Sequence, residues 1–301
     1  MRATPKARGW RAVLTTLIAP AELAAHLTDP DWVILDCRFE LARPAWGEQA
    51  FAQGHIPQAQ YVDLDRDLTG THGPRLGRHP LPDPAALAAT LGRLGIDARV
   101  QVVAYDQGRA AYAARLWWLL RWLGHRAVAV LDGGLPAWEA EGLPLARAPG
   151  ARAPRQFQRA AAAAAAVHST TVAQALAAGE LARGELLLVD ARSAERFAGQ
   201  NETLDAVAGH IPGARNAPFT ANHDPQGRFL PAAELRRRWQ ELLGARPPGT
   251  LVAMCGSGVT ACDNLLALEI AGLAGARLYA GSWSEWITDP ARPVARGATP
   301  S

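Results

Sequence analysis

The most constraining feature of this 301-residue chain is that four short phrases occur twice, in the same order. Each phrase of the N-terminal half returns about 150 residues later. The first copies are WVILDCR (32–38), GHIPQA (54–59), VVAYDQG (102–108) and GGLPAW (133–138), and the second copies are LLLVDAR (186–192), GHIPGA (209–214), LVAMCGSG (251–258) and GSWSEW (281–286). Four repeated phrases at one spacing indicate two copies of one domain, each of an ordinary domain length.

Each copy alternates short apolar runs with helical patterns. Buried parallel strands are almost continuous apolar runs bounded by turn residues. The strands are predicted at Val33–Leu35, Val100–Ala104, Val128–Leu131, Leu186–Val189, Leu251–Met254 and Ala276–Tyr279. The helices are predicted at Pro84–Leu94, Tyr112–Leu123, Ala232–Leu243 and Ala261–Ala271. This alternation predicts an α/β fold of two tandem domains, each an open, mainly parallel sheet flanked by helices.

Proline spacing marks the boundary between the copies. Pro144, Pro149 and Pro154 are followed by a run of alanines at 160–166, a composition typical of a surface linker. We therefore predict an N-terminal domain at residues 15–145, a linker at 146–167 and a C-terminal domain at 168–295.

Composition narrows the class of protein further. Hydrophobic residues make up 49% of the chain and charged residues 20%, which suits a soluble globular protein. The formal net charge is +3, and because Lys6 is the only lysine, nearly all the basic residues are arginines, which suit bidentate binding of small oxyanions. The triplet 236–238 stands beside Glu234 and Glu241 in a helical pattern, which favours a solvated helix face over a nucleic-acid site.

Cysteine usage and the N-terminal segment predict a cytoplasmic protein. Three cysteines in a chain of this length do not form a disulfide framework. The basic segment at residues 1–13 lacks the apolar stretch of a signal peptide, and a weak transit peptide is the alternative. No apolar run is long enough for a membrane helix. No Cys/His spacing suits a metal and no phosphate loop occurs, so we expect no cofactor, no nucleic acid and no membrane partner.

One cysteine stands where ligands bind in this type of sheet. In open α/β sheets, ligands lie beyond the carboxyl ends of the strands, at helix N-termini. Cys255 directly follows a predicted strand, and Gly256 and Gly258 permit a tight curl whose N–H groups point inward. Such a nest, together with the start of the next helix, favours a thiolate and equally a persulfide. Ser257 and Thr260 add hydroxyl donors.

The loop and the repeated phrases together resemble a known family. The run CGSGVT at 255–260 is similar to the active loop of the 3-mercaptopyruvate sulfurtransferases, which are tandem-domain rhodanese-like sulfurtransferases. The thiosulfate-using branch usually has Arg and Lys where this chain has Gly256 and Ser257. The resemblance covers about residues 15–290. It implies two rhodanese-like domains, of which the first is catalytically silent because Asp106 takes the position of the cysteine.

The resemblance also implies roles for residues around the loop. Arg196 matches the arginine that binds the anionic group of the donor. The implied donor-binding set is Arg196, Gly256, Gly258, Val259 and Thr260. Asp65 and His79 match residues of the N-terminal domain that reach the catalytic loop and form a relay with Ser257. A histidine also suits proton transfer in thiolate chemistry near neutral pH.

One position departs from the family pattern. Many 3-mercaptopyruvate sulfurtransferases have a second substrate arginine about nine residues after the first, whereas residues 199–205 of this chain contain no arginine. A carboxylate donor then loses a bidentate partner worth about 1.5–3 kcal/mol. The choice between 3-mercaptopyruvate and thiosulfate therefore stays open, with Arg75 or Arg78 as substitutes.

The sequence predicts a sulfurtransferase that moves sulfane sulfur from 3-mercaptopyruvate, thiosulfate or both, through a Cys255 persulfide, to an acceptor such as cyanide, thioredoxin or another thiol. One alternative is a persulfide carrier or docking module without turnover. Another is a cysteine phosphatase or arsenate reductase, whose loop needs an arginine where this chain has Ala261. Cys37 and Cys262 are expected in the core, redox pairing of Cys262 with Cys255 being the alternative.

Overall fold

Two five-stranded sheets form the frame of the protein. The computed structural model describes residues 13–298, so nearly all of the basic N-terminal segment, with the targeting prediction based on it, lies outside the described residues. The first sheet contains β1 (Leu17–Ile18), β2 (Trp32–Asp36), β3 (Ala59–Tyr61), β4 (Gln101–Tyr105) and β5 (Val128–Leu131). The second contains β6 (Ala165–Val167), β7 (Leu187–Asp190), β8 (Arg215–Asn216), β9 (Leu251–Met254) and β10 (Arg277–Tyr279).

The two sheets share one topology. The strand order is β1-β5-β4-β2-β3 in the first and β6-β10-β9-β7-β8 in the second, so each strand has an equivalent in the other domain. Every pairing among these strands is parallel. Parallel neighbours need crossover connections, which the helices supply. The prediction of two tandem α/β domains is confirmed, with sheets that are wholly rather than mainly parallel among these strands.

Helices cover both faces of each sheet. Those of the N-terminal domain are α1 (Pro20–Ala24), α2 (Trp46–Gln53), α3 (Leu64–Asp67), α4 (Pro84–Arg93), α5 (Ala113–Trp122) and α6 (Gly134–Ala140). Those of the C-terminal domain are α7 (Ser169–Ala177), α8 (Glu180–Arg183), α9 (Ala194–Phe197), α10 (Ala232–Leu243), α11 (Ala261–Ile270) and α12 (Ser282–Trp286). Within residues 13–298, no helix combines the length and the apolar character that a bilayer crossing requires.

Helix α10 shows why periodicity predicted these elements well. Leu235, Trp239 and Leu243 recur at intervals of one helical turn and are buried. On the solvent side, Arg237 pairs with Glu241 at 2.9 Å. The arginine triplet at 236–238 thus belongs to the polar face of an amphipathic helix.

The structure corrects the predicted linker at its C-terminal end. Ala165–Val167 form strand β6 and pair with β10, so they belong to the second sheet. Earlier in the alanine run, the N–H of Ala160 donates to the Leu123 carbonyl and that of Ala163 to the Arg121 carbonyl. Strand pairing uses main-chain groups, which an alanine run has like any other segment, so composition alone did not reveal this role.

The two domains share one apolar core across their boundary. Helices α5 and α11 pack against each other. Ala113–Arg121 of α5 and Ala261–Leu268 of α11 are buried, as expected of helices that are enclosed on every side. Near the C-terminal ends of these helices, Arg121 pairs with Glu269 at 3.0 Å. Packing therefore fixes the boundary, and side chains of one domain reach the loops of the other.

The repeated phrases have matched structural roles. The aspartate and arginine of each D-x-R phrase form a buried ion pair with short contacts. These pairs are Asp36–Arg38 at 2.7 Å and Asp190–Arg192 at 2.6 Å. Each GHIP histidine is buried and stacks on a phenylalanine, His55 on Phe51 and His210 on Phe197. Their matched stacking and burial in both copies indicate a structural role.

Candidate active site

Cys255 lies at the carboxyl end of the central strand β9, at the start of the loop that leads into α11. The residue is only 2% exposed, yet it lines a small cavity of about 70 Å³. The Gly258 N–H donates to Sγ at 3.1 Å. Among the described residues this is the one main-chain amide that donates to the sulfur, whereas the sequence predicted several.

The two loop glycines serve different purposes. Gly258 has a φ of +77°, in the left-handed region, and a Cβ there would collide with the Ala280 carbonyl. Gly256 lies outside that region. A Cβ on Gly256 would lie 3.2 Å from Nη2 of Arg78 and 3.6 Å from Nη1 of Arg196. Gly256 therefore leaves room for two arginines.

The start of α12 holds the Cys255 loop in place. The N–H groups of Trp283 and Ser284 donate to the carbonyls of Cys255 and Gly256 at 3.0 and 2.8 Å. In return, the Cys255 N–H donates to Ser282 Oγ at 3.0 Å. The first N–H groups of a helix have no partner within it, so they are free to bind a neighbouring loop. The repeated phrase GSWSEW (281–286) thus fixes the position of Cys255.

His79 of the N-terminal domain contacts the Cys255 loop of the C-terminal domain. Its Nδ1 atom lies 2.7 Å from Ser257 Oγ, and its Nε2 atom lies 3.4 Å from Asp65 Oδ1. His79 is buried, whereas the Asp65 side chain is 42% exposed. The structure brings together the three residues of the predicted relay, with a short contact to Ser257 and a longer one to Asp65.

The protonation state of His79 follows from its surroundings. Burial, with the guanidinium groups of Arg115 and Arg78 close by, lowers the pKa of His79 to about 3. The imidazole is therefore neutral near pH 7. Because an ionised Asp65 only accepts hydrogen bonds, the network assigns the proton to Nε2 and leaves Nδ1 to accept from the Ser257 hydroxyl.

A segment of the N-terminal domain crosses the boundary to bring Arg78 and His79 to the site. Gly77 lies so close to Gly281 that a Cβ would be 2.6 Å from its carbonyl oxygen. The Arg78 N–H donates to Ser284 Oγ at 2.9 Å. This crossing therefore depends on a residue without a side chain at position 77.

Two arginines from different domains line the cavity beside Cys255. Arg196 of α9 and Arg78 both contact Asp205, with Nη2 and Nη1 respectively 2.8 Å from its two carboxylate oxygens. Glu202 accepts from Nε and Nη2 of Arg196 at 3.0 Å. Of the two candidates for a substitute arginine, Arg78 is in the cavity lining and Arg75 is not.

The cavity has room for a small donor only. Its volume is well below the roughly 300–1,000 Å³ of drug-sized pockets. Of the predicted donor-binding set, Arg196, Gly256, Val259 and Thr260 line the cavity, and Gly258 does not. A larger cavity of about 240 Å³ lies between α5, α11 and residues 162–165, and its lining contains no cysteine, serine or histidine. Of these two cavities, the smaller one is therefore the candidate active site.

Comparison with known proteins agrees with the two-domain fold. The rhodanese-like domain family matches residues 19–141 and 172–289, which is one domain in each half of the chain. The chain belongs to the rhodanese-like family.

Relatives of this rhodanese-like chain cover nearly all of its length. A probable 3-mercaptopyruvate sulfurtransferase of Pseudomonas aeruginosa is 50% identical, over 93% of this chain and 98% of the relative. A putative thiosulfate sulfurtransferase, SseB, of Mycobacterium tuberculosis is 41% identical over 93% and 97%. The crystal structure of SseA from Escherichia coli, described with the fold and mechanism of 3-mercaptopyruvate sulfotransferases, has a TM-score of 0.75 and 31% identity, over 90% and 100%.

The first rhodanese-like domain holds a carboxylate where the second holds a thiol. Asp106 follows β4 as Cys255 follows β9. Its carboxylate accepts from the N–H groups of Gly108, Tyr112 and Ala113 at 2.9, 2.8 and 3.1 Å. Burial raises the pKa of Asp106 to about 6, and these three amides oppose the shift. The loop of the first domain is therefore an anion nest, and its own Asp106 carboxylate occupies it.

The other two cysteines are core residues of this rhodanese-like fold. Burial raises the pKa of Cys37 well above its ordinary value and that of Cys262 to about 12, so both are thiols near pH 7. The Cys262 thiol donates to the Gly258 carbonyl at 3.3 Å. In residues 13–298, no group of three or more His, Cys, Asp or Glu side chains could hold a metal ion.

Three charged residues at the site were not predicted. Glu202 and Asp205 bind the arginines from an irregular loop, where no periodicity identifies a functional residue. Arg115 of α5 is fully buried and donates to the carbonyls of Gly258 and His79 at 3.1 and 3.3 Å. The signal that could have identified Arg115 is a charged residue within an otherwise apolar helical pattern.

Proposed function

We propose that this protein is a sulfurtransferase in which Cys255 takes a sulfur atom from a small anionic donor and passes it to a thiophilic acceptor. The observation that carries the proposal is the position of the Cys255 sulfur, in the lining of a cavity shared with Arg78 and Arg196. Thiolates are strong nucleophiles, and arginines bind oxyanions with directional hydrogen bonds. A nucleophile and an anion site thus share a space suited to a molecule of a few heavy atoms.

With 3-mercaptopyruvate, the proposed first step makes one S–S bond and breaks one C–S bond. The Cys255 thiolate attacks the thiol sulfur of the donor, and the electron pair of the C–S bond passes to carbon to give the enolate of pyruvate. The thiol proton must then reach that carbon, leaving pyruvate and an anionic persulfide. The hydroxyl of Ser257, bonded to neutral His79, lies in the cavity and is the proposed path for this proton.

With thiosulfate, the same attack needs no proton. The thiolate bonds to the outer sulfur, the S–S bond of the donor breaks, and sulfite leaves with the electron pair. In the second half of either cycle, cyanide or a thiolate such as that of thioredoxin attacks the outer persulfide sulfur. Thiocyanate or a new persulfide leaves, and the Cys255 thiolate returns. We propose both donors and thiol or cyanide acceptors, in agreement with the names of the relatives.

The rival functions make different demands on the site. A phosphate-cradling loop needs an arginine on the loop itself, and Ala261 occupies that position as the first residue of α11. The arginines here reach the cavity from outside the loop. A persulfide carrier needs the same cysteine but no repeated turnover, so kinetics separates it from the enzyme.

The test is sulfur transfer by wild-type protein and by Cys255→Ser, with each donor and with cyanide as acceptor. We expect multiple turnovers for the wild type and none for the variant, with Cys262→Ser as the matched control that keeps its turnover. Mass spectrometry after donor treatment should show the mass of one added sulfur atom on the wild type alone. Turnover by Cys255→Ser would refute the proposal, and an adduct that added cyanide never removes would favour a carrier.

A further inference from the structure

Asp205 joins two side chains from different domains. Its carboxylate is 2% exposed and bridges Nη2 of Arg196 and Nη1 of Arg78, each at 2.8 Å. These two arginines are 21% and 28% exposed, so their outer parts remain open to the cavity. A buried carboxylate with two charge-assisted hydrogen bonds is a firm anchor. Arg78 has no other carboxylate partner among the ion pairs of residues 13–298, so Asp205 is what fixes its direction.

The contacts leave specific nitrogens free on the cavity side. Glu202 engages Nε and Nη2 of Arg196, and Asp205 engages Nη2 as well, so Nη1 is left over. On Arg78, Nη1 is taken by Asp205. The nitrogens nearest to Gly256, next to the nucleophile, are Nη2 of Arg78 and both Nη1 and Nη2 of Arg196, of which Nη2 of Arg196 is already bound to the carboxylates. Two guanidinium edges thus meet where a donor must lie.

The cluster carries little net charge. The two arginines are balanced by Asp205 and Glu202, both 2% exposed, and Glu202 also lies 3.6 Å from Arg192, which is paired with Asp190. A site of this kind attracts an anion through directional hydrogen bonds more than through net positive potential. That favours a planar monocarboxylate, which two guanidinium edges can bind in register, over a dianion such as thiosulfate.

We infer that Asp205 is a positioning residue that sets donor specificity: it holds Arg78 beside Arg196 as a seat for the carboxylate of an α-keto acid donor, and its negative charge disfavours dianionic donors. The inference rests on the proposed sulfur transfer for its kinetic readout. It assigns to the N-terminal domain one of the two groups that recognise the donor, so the silent domain takes part in substrate choice.

The test compares Asp205→Asn, Asp205→Ala and Arg78→Met with wild type, and uses Arg75→Met as the matched control. Arg75 is exposed, lies on the same segment and is absent from the cavity lining. We expect KM for 3-mercaptopyruvate to rise about tenfold in Arg78→Met and Asp205→Ala, with kcat changed much less. In Asp205→Asn, which keeps the shape and removes the charge, kcat/KM for thiosulfate relative to 3-mercaptopyruvate should rise by about the same factor.

A double variant separates positioning from a merely structural role. If Asp205 acts through Arg78, Arg78→Met/Asp205→Ala should have the KM of Arg78→Met alone. If the KM increases of the two single variants multiply in the double variant, the inference is overturned. It is also overturned if the variants lose kcat/KM equally with both donors. Binding of pyruvate measured by calorimetry gives a readout without turnover. Weaker pyruvate binding in Arg78→Met than in Arg75→Met supports the seat even if neither donor is turned over, whereas equal binding in these two variants refutes it.

Discussion

The Nδ1 atom of His79 and the hydroxyl oxygen of Ser257 lie 2.7 Å apart, although the two residues belong to different domains. The imidazole accepts this hydrogen bond as a neutral group, because burial lowers the pKa of His79 to about 3. It can orient the hydroxyl and pass a proton without adding positive charge beside the thiolate. The candidate active site therefore includes a contact between the two domains.

Removal of this hydrogen bond should lower kcat/KM for 3-mercaptopyruvate more than kcat/KM for thiosulfate. Only 3-mercaptopyruvate needs a proton delivered to carbon, so His79→Ala and Ser257→Ala should lower its kcat/KM by about 100-fold and that of thiosulfate by less than about tenfold. The measurement is steady-state transfer to cyanide with each donor. Arg75→Met, at an exposed residue of the same segment that does not line the cavity, is the control and should match the wild type. Equal losses with both donors would remove the proton-transfer role.

The buried neutral His79 should also make the fold sensitive to acid. In the unfolded chain the imidazole takes up a proton near pH 6.5, whereas in the folded protein it does so only near pH 3. The unfolded state therefore binds more protons below pH 6.5, and between pH 6.5 and 5 this lowers the free energy of unfolding by about 2 kcal/mol. Denaturant unfolding at pH 7 and pH 5 should show that acidification lowers the free energy of unfolding less for His79→Gln than for wild type.

Asp106 provides the opposite control for that measurement. Its pKa is raised to about 6 in the folded protein, so on acidification the folded state takes up this proton before the unfolded state does. Its contribution to stability is present at low pH and is lost as the pH rises through 6. Asp106→Asn should therefore lose more stability than wild type on going from pH 7 to pH 5. The same pH response in both variants would contradict the two assignments.

The repeat made the fold predictable, because each phrase has one structural role in both copies. The predicted helices and strands agree with the observed ones to within one or two residues where apolar periodicity is strong, as in Ala232–Leu243 and Leu251–Met254. The edge strand Ala165–Val167 was missed because its side chains carry no pattern. An edge strand is held by main-chain hydrogen bonds on one side, which any residue except proline can donate.

The site was predictable where one short segment carries the chemistry and less so where the domains meet. Cys255 and its loop follow from a strand, two glycines and a helix start. At residues 199–205 the sequence showed only that an arginine expected from the family pattern is absent. No sequence pattern shows that the Asp205 carboxylate contacts Arg78, which is 127 residues away. Arg115 was hidden for the same reason, because its partners lie on the other side of the domain boundary or in a distant loop.

The loop glycines offer a matched pair of substitutions. Gly258→Ala forces a side chain into a left-handed conformation and toward the Ala280 carbonyl, so it should lower the free energy of unfolding by about 1–3 kcal/mol and abolish transfer. Gly256→Ala meets only the ends of Arg78 and Arg196, which are flexible. It should leave stability nearly unchanged and raise KM for both donors. Thermal unfolding and donor kinetics check both variants, and a stable, active Gly258→Ala would contradict the assigned loop geometry.

Arg115 should matter for turnover more than for stability. Burial lowers the pKa of its guanidinium, and the sulfur atoms of Cys262 and Cys255 oppose that shift, so its charge lies close to the nucleophile. It also joins the loop to the relay through its bonds to the carbonyls of Gly258 and His79. Arg115→Met removes the desolvation cost of a buried guanidinium, which offsets the loss of its hydrogen bonds to these two carbonyls. Arg115→Met should therefore unfold within about 1 kcal/mol of wild type.

Turnover of Arg115→Met should nevertheless fall by at least about tenfold with both donors, because the loop and His79 lose their shared anchor. Arg121→Met is the control on the same helix, since Arg121 pairs with Glu269 and contacts neither the loop nor His79. That variant should lose stability and keep its kcat. A kcat for Arg115→Met equal to that of wild type would show that the loop holds its shape without the buried guanidinium, and α12 alone would then position Cys255.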